Sequence, residues 1–208
     1  LSTVFCVGHC FGNSFESSLR SDDVITNEVL RRFYFFQKNS SSDHSWPIYI
    51  STFNYWYFQA LNKHPEIKKE LIELGHSFSG NSDTEVILAA YDCYQYQCLQ
   101  YFDGMFAFAI WDNQTQQLFA ARDRFGEKPF YYFIDNEQFV FASEMKALWA
   151  NGIDKSINNK QLINYLSQGF VSNPTSGVTT FYNNISKLPA ASYLYYLPTT
   201  KQLNVERY

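Results

Sequence analysis

Long apolar runs are missing from this chain, and no stretch approaches the roughly 20 residues that a bilayer-spanning helix requires. Basic blocks are missing too. The 208 residues carry 16 Lys and Arg against 20 Asp and Glu, a formal charge of −4. With a pI near 5.5, that balance argues against a nucleic-acid partner. The first residues show neither the positive start nor the apolar core of a secretory signal, so no membrane partner is expected. Cysteine is scarce. Cys6, Cys10, Cys93 and Cys98 are too few for a disulfide scaffold and read as reduced thiols, which makes the cytoplasm the expected compartment. Cys6, His9 and Cys10 lie close together, and Cys93-x4-Cys98 forms a second pair. The usual pairing of C-x2-C units is absent, so no metal site is expected.

Aromatics, by contrast, are abundant, with 20 Phe and 16 Tyr, as suits a sheet-rich core. The length suits one large domain, or one domain with a short extension, and a domain of this size buries roughly 70% of its unfolded surface. Residues 1–63 are rich in Ser and Phe and carry no sustained period. From His64 the local signals agree. HPEIKKELIEL (His64–Leu74) has Pro near a helix start and Gly75 just past its end, with Ile67, Leu71 and Leu74 on one face. Ser82-Asp83-Thr84-Glu85 is a capping box opening a second helix whose apolar face is Val86, Ile87, Ala90 and Tyr91. Gly104 precedes MFAFAIW, apolar at every position, which suits a central strand covered on both sides. Asp112–Gln116 reads as a turn, Leu118–Arg122 as a returning strand, Arg124–Pro129 as a loop, and Asp135-Asn136 as a hairpin turn before Phe139–Ala142. A short helix follows Ser143. Asn158–Phe170 is predicted to be an amphipathic helix with Leu162, Ile163 and Leu166 on one side, and a final hairpin turns around Pro198.

The run from Ser82 to Tyr132, with FASEMKAL at Phe141–Leu148, closely resembles the glutaminase domain of glutamine-hydrolysing asparagine synthetases, a class II amidotransferase of the N-terminal-nucleophile type. The tail, with Lys187-Leu188-Pro189 and Arg207-Tyr208, resembles the segment joining the two halves of those enzymes. The resemblance covers about residues 64–208. It implies an α+β fold, a four-layer α/β/β/α sandwich of antiparallel sheets, incomplete at the N-terminus. Residues 1–63 would be a divergent or disrupted N-terminal part of the glutaminase domain, 64–150 its core, and 151–208 a segment leading to an absent synthetase domain. No S-G-G-x-D motif or pyrophosphatase-type loop is present, so no cofactor is expected in this chain; ATP and Mg belong to the missing domain. Glutamine would be the substrate, the synthetase domain of the same or another chain the partner, and a homodimer stays open for the full-length family.

In that family an N-terminal Cys attacks the glutamine amide while its own α-amino group acts as base, and backbone or Asn donors stabilise the oxyanion. Asp83, by resemblance, binds the substrate's α-amino group; as a carboxylate in a first helical turn it also favours the positive end of the helix dipole. Arg31 and Arg32 resemble the family's carboxylate-binding stretch, although Leu30 stands where the family has His; a solvated basic pair is the alternative. Asn54 follows Phe53 as in the family's F-N-G-E-I-Y-N motif, but Tyr55 replaces the Gly whose N–H is needed, so a competent oxyanion hole is not expected. Cys6 could serve as nucleophile only if processing made it the N-terminus; a structural thiol is the alternative. Arg122, Asp123 and Arg124 are expected to form structural ion pairs or partner contacts, with no catalytic role. Three readings therefore stand: a glutaminase part of an asparagine synthetase, inactive as written; a non-catalytic packing module; or the amidotransferase domain of a sugar- or peptide-modifying enzyme.

Overall fold

The computed structural model describes residues 3–6, 35–36, 64–79, 83–175 and 177–208. The expected irregularity of residues 1–63 falls almost wholly outside them. The described residues form two compact units, one from residues up to Cys6, 64–128 and Ala190–Tyr208, the other from Phe35–Phe36 and Pro129–Pro189. The class is α+β, and among the described residues every strand pairing is antiparallel.

In the first unit, helix α1 (His64–Glu73) ends as its sequence predicts. Gly75 sits at φ +97, its N–H meets the Ile72 carbonyl at 2.9 Å, and the His76 N–H meets the Leu71 carbonyl at 3.0 Å. This paired closure needs a left-handed residue, which glycine supplies without a Cβ clash. Ile67 and Leu71 are buried, but Leu74 is 56% exposed. The predicted face is one residue too long because the helix stops before Leu74 turns inward.

Helix α2 (Asp83–Tyr94) buries Val86, Ile87, Ala90 and Tyr91 as expected, and a 3-10 turn over Gln95–Gln100 follows. Strand β3 (Ala107–Asp112) is buried at all six positions and returns as β4 (Gln117–Arg122). Between them Asp112 Oδ1 accepts the N–H groups of Gln114 at 2.8 Å and Thr115 at 3.3 Å, which fixes the turn. The sheet runs β1 (Thr3–Cys6), β3, β4, β8 (Ser192–Leu197), β9 (Gln202–Arg207). Strand periodicity divides its residues: Phe106, Phe108, Ile110 and Phe119 pack with the apolar side of α2, while Ala107, Ala109 and Ala120 are buried on the opposite face.

In the second unit the order is β2 (Phe35–Phe36), β6 (Phe139–Ala142), β5 (Tyr131–Ile134), β7 (Ser186–Lys187). Asp135 Oδ1 holds the β5–β6 turn through the N–H groups of Glu137 and Gln138. Helix α3 (Met145–Ala150) sets Leu148 among Val140, Ala142, Ile153 and Ile185.

Helix α4 (Asn159–Gln168) is capped by the Asn158 side chain and closed by Gly169 in the left-handed region. Its orientation departs from the amphipathic expectation. Gln161 is the buried residue of this helix, donating from Nε2 to the Phe170 carbonyl at 2.8 Å, while Ile163 and Leu166 are 63% and 73% exposed. The cap and the Gln161 bond fix which side faces in, and they outweigh the apolar stripe. Leu166→Ala should therefore change unfolding free energy by no more than about 0.5 kcal/mol. Leu148→Ala should cost about 2–5 kcal/mol. Urea melts of the two variants check the contrast.

Candidate functional site

Asp83 opens α2, with neighbouring Glu85 in the same acidic first turn, where free N–H groups and the helix dipole favour a carboxylate. The side chain is half-buried, and its Oδ2 is out of solvent. Because one face of α2 is packed into the core, the position of Asp83 is fixed by apolar burial further along the helix. Glu85 is tied to the preceding segment: Ser79 Oγ donates to its Oε1 at 2.5 Å. Ser82, the predicted cap, lies outside the described residues.

The other end of α2 carries a second group of polar contacts. The Tyr94 hydroxyl donates to Glu70 Oε1 at 2.7 Å, and that bond, with a smaller contribution from burial, pushes the phenol up to about 12. His76 Nε2 lies 3.0 Å from Cys93 Sγ. The Cys93 thiol is raised above its ordinary value by desolvation, then by Asp92 and Glu70; Cys98, in the core, is raised further by burial. At pH 7.5 iodoacetamide should modify Cys93 slowly, faster as pH rises beyond 9, and Cys98 only after unfolding, since the thiolate is the reactive form. Peptide mass spectrometry across a pH series checks both rates.

The segment after β4 is held by a network of polar contacts. Asp123 is fully buried, and its carboxylate accepts four backbone N–H groups: Phe125 at 3.1 Å and Glu127 at 2.9 Å on Oδ1, Lys128 at 3.0 Å and Phe106 at 3.3 Å on Oδ2. Its own N–H meets the Phe106 carbonyl, and its carbonyl accepts from Gly126 and Ala191. Arg122 donates from Nε to the Lys128 carbonyl at 2.6 Å and from NH2 to the Gly126 carbonyl at 2.5 Å. Arg124 donates to the Phe102 carbonyl, and its guanidinium lies 5.7 Å from the centre of the Tyr208 ring. Gly126, at φ +67, is closely surrounded: a Cβ would stand 3.1 Å from both Ala190 Cβ and Arg122 Cζ, so these neighbours would have to give way. Side chain to backbone bonds knit this cluster, a kind of contact that its alternating charges, read as structural ion pairs or partner contacts, did not suggest.

Of the sequence-predicted site residues, Asp83 is the one whose side chain is described. Arg31, Arg32 and Asn54 lie outside the described residues. Cys6 is the last residue of β1, paired with Phe108. Sequence reasoning missed the His76–Cys93 contact, which no local signal marks across 17 positions, and the central part played by Asp123.

The glutamine amidotransferase domain family matches residues 55–208. Among curated relatives, asparagine synthetase [glutamine-hydrolyzing] 3 of Bacillus subtilis is 37% identical over 144 residues, covering 69% of this chain and 23% of that protein. Asparagine synthetase [glutamine-hydrolyzing] 1 of the same organism is 42% identical over 111 residues, covering 53% of this chain and 18% of that protein. The chain thus spans about a fifth of the length of these relatives. Among solved structures, the glutamine phosphoribosylpyrophosphate amidotransferase from B. subtilis, complexed with ADP and GMP, superposes with a TM-score of 0.49 at 19% identity, over 71% of this chain and 27% of that one.

Proposed function

This chain belongs to the glutamine amidotransferase domain family, and from that premise we propose that it is the glutaminase part of an asparagine synthetase. Its reaction in the complete enzyme would be hydrolysis of the glutamine side-chain amide. The ammonia released would serve ATP-dependent conversion of aspartate to asparagine in a synthetase domain. The observation that carries this reading is the helix opening on Asp83 folded against the strand after Gly104, within a segment that matches the family and is similar to asparagine synthetases. A cytoplasmic setting fits the free thiols of Cys93 and Cys98.

Asp83 is assigned to the substrate's α-ammonium group. A charge-assisted hydrogen bond of that kind contributes roughly 1.5–3 kcal/mol. The chain on its own is proposed to be inactive in hydrolysis, because Cys6 is preceded by strand residues and Tyr55 stands where the family needs glycine.

Titration calorimetry with glutamine tests the assignment. Asp83→Asn should weaken binding roughly tenfold to a hundredfold, the equivalent of that hydrogen bond, while the thermal midpoint stays nearly constant, because Asn suits a helix start about as well as Asp. Equal affinity in both proteins would leave Asp83 as a helix-terminal charge only, and absence of binding in both would sink the glutamine pocket itself.

A further inference from the structure

We propose that His76 and Cys93 form a two-donor seat for a thiophilic d10 cation, Cu(I) or its analogue Ag(I). The two donors come from different elements and stand 3.0 Å apart, Nε2 to Sγ. His76 is placed by the closure of α1, its N–H on the Leu71 carbonyl. Cys93 sits in the last turn of α2, beside residues whose opposite side is packed in the core. The residue is exposed. The seat is therefore open to solvent while its backbone is held on both sides.

The number of donors selects the ion. Among the described residues no group of three or more His, Cys, Asp or Glu is arranged to hold a metal, whereas structural zinc takes four ligands. A soft monovalent d10 ion is satisfied by two, and it favours thiolate sulfur with imidazole as an accepted partner. Bonds of zinc length to sulfur and nitrogen would span about 4.3 Å in line, and the shorter bonds of a two-coordinate Cu(I) somewhat less, so the side chains need to part by roughly 1 Å, a rotation that surface groups make freely.

On binding, the Cys93 S–H bond breaks and its proton leaves to solvent; the sulfur and the neutral His76 Nε2 each form one bond to the metal, and no electrons are transferred.

Anaerobic titration of the full chain with Cu(I), against bathocuproine disulfonate as competing chelator, tests the seat. A Cys6→Ser/Cys10→Ser parent removes the other candidate thiols, and Cys98 is fully buried. One Cu(I) per chain is expected, with affinity reduced at least tenfold in His76→Gln and lost in Cys93→Ser. Unchanged affinity in His76→Gln would mean a lone thiol and overturn the pair; retained binding in Cys93→Ser would overturn it by placing the ion elsewhere. X-ray absorption on the copper-loaded parent decides independently of how the variants fold. One sulfur and one imidazole nitrogen are expected, and a shell of two sulfurs would overturn the proposal.

Discussion

Asp123→Ala should lower unfolding free energy by on the order of 4 kcal/mol, a loss comparable to truncating one of the buried phenylalanines of the first unit. Four backbone N–H groups end on this carboxylate. Each donor left buried without an acceptor costs about 1–3 kcal/mol. Partial entry of water returns some of that, which keeps the total near the upper end of single-residue effects. Asp123→Asn should recover part of the loss, since an amide oxygen still accepts on one side but its NH2 faces donors on the other. Urea unfolding followed by circular dichroism measures both. A loss below about 1 kcal/mol in Asp123→Ala would show that the loop closes without the carboxylate.

The second large effect concerns Cys6. A chain trimmed to begin at Cys6 should release no ammonia from glutamine above the protein-free rate, and it should be less stable than the parent. In the register of β1, Thr3 pairs with Trp111, Val4 with Ile110, Phe5 with Ala109 and Cys6 with Phe108. Trimming keeps one of these four pairs and bares the outer edge of β3. At about 0.5–1.5 kcal/mol net for each backbone hydrogen bond, the loss is about 2–3 kcal/mol. An N-terminal thiol at this position would thus be obtained by dismantling the strand that carries it. Without a working nucleophile, catalytic units of this kind lose about six orders of magnitude in turnover. A glutamate dehydrogenase-coupled assay measures ammonia. Turnover in the trimmed chain that disappears on Cys6→Ala would reverse this conclusion.

Local chemistry made much of the fold legible. Gly75 after an amphipathic run, Asp112 and Asp135 at tight turns, and the all-apolar MFAFAIW each specify an element through contacts a few residues apart, although the strand in MFAFAIW begins only at Ala107 and leaves Met105 45% exposed. Orientation was less legible. The stripe of Ile163 and Leu166 reads as an inward face, but α4 is turned by the Asn158 cap and by the bond from Gln161 to the Phe170 carbonyl, and hydrophobic periodicity is blind to both. Polar residues divide in the same way. The place of Asp83 in the first turn of α2 was legible from a helix-opening motif. The carboxylate of Asp123 was read as one member of a charge cluster, because its partners are backbone amides, and a backbone amide has no letter in the sequence.

Strand order in the first sheet sets a schedule for biosynthesis. Strands β3 and β4 form a local hairpin, but the next neighbour of β4 is β8, and Arg122 pairs with Ser192. About 70 residues, including most of the described second unit, leave the ribosome between those two partners. At bacterial and eukaryotic elongation rates that interval is roughly 4–14 s, far longer than a hairpin needs to close. Throughout it the apolar β4 presents an unpaired edge, the kind of edge that recruits other chains. Tyr208 joins the same arrangement, its hydroxyl donating to the Arg122 carbonyl at 3.0 Å. Nascent chains stalled before Ser192 should therefore be the ones that chaperones hold, and emergence of the β8–β9 hairpin should end that dependence.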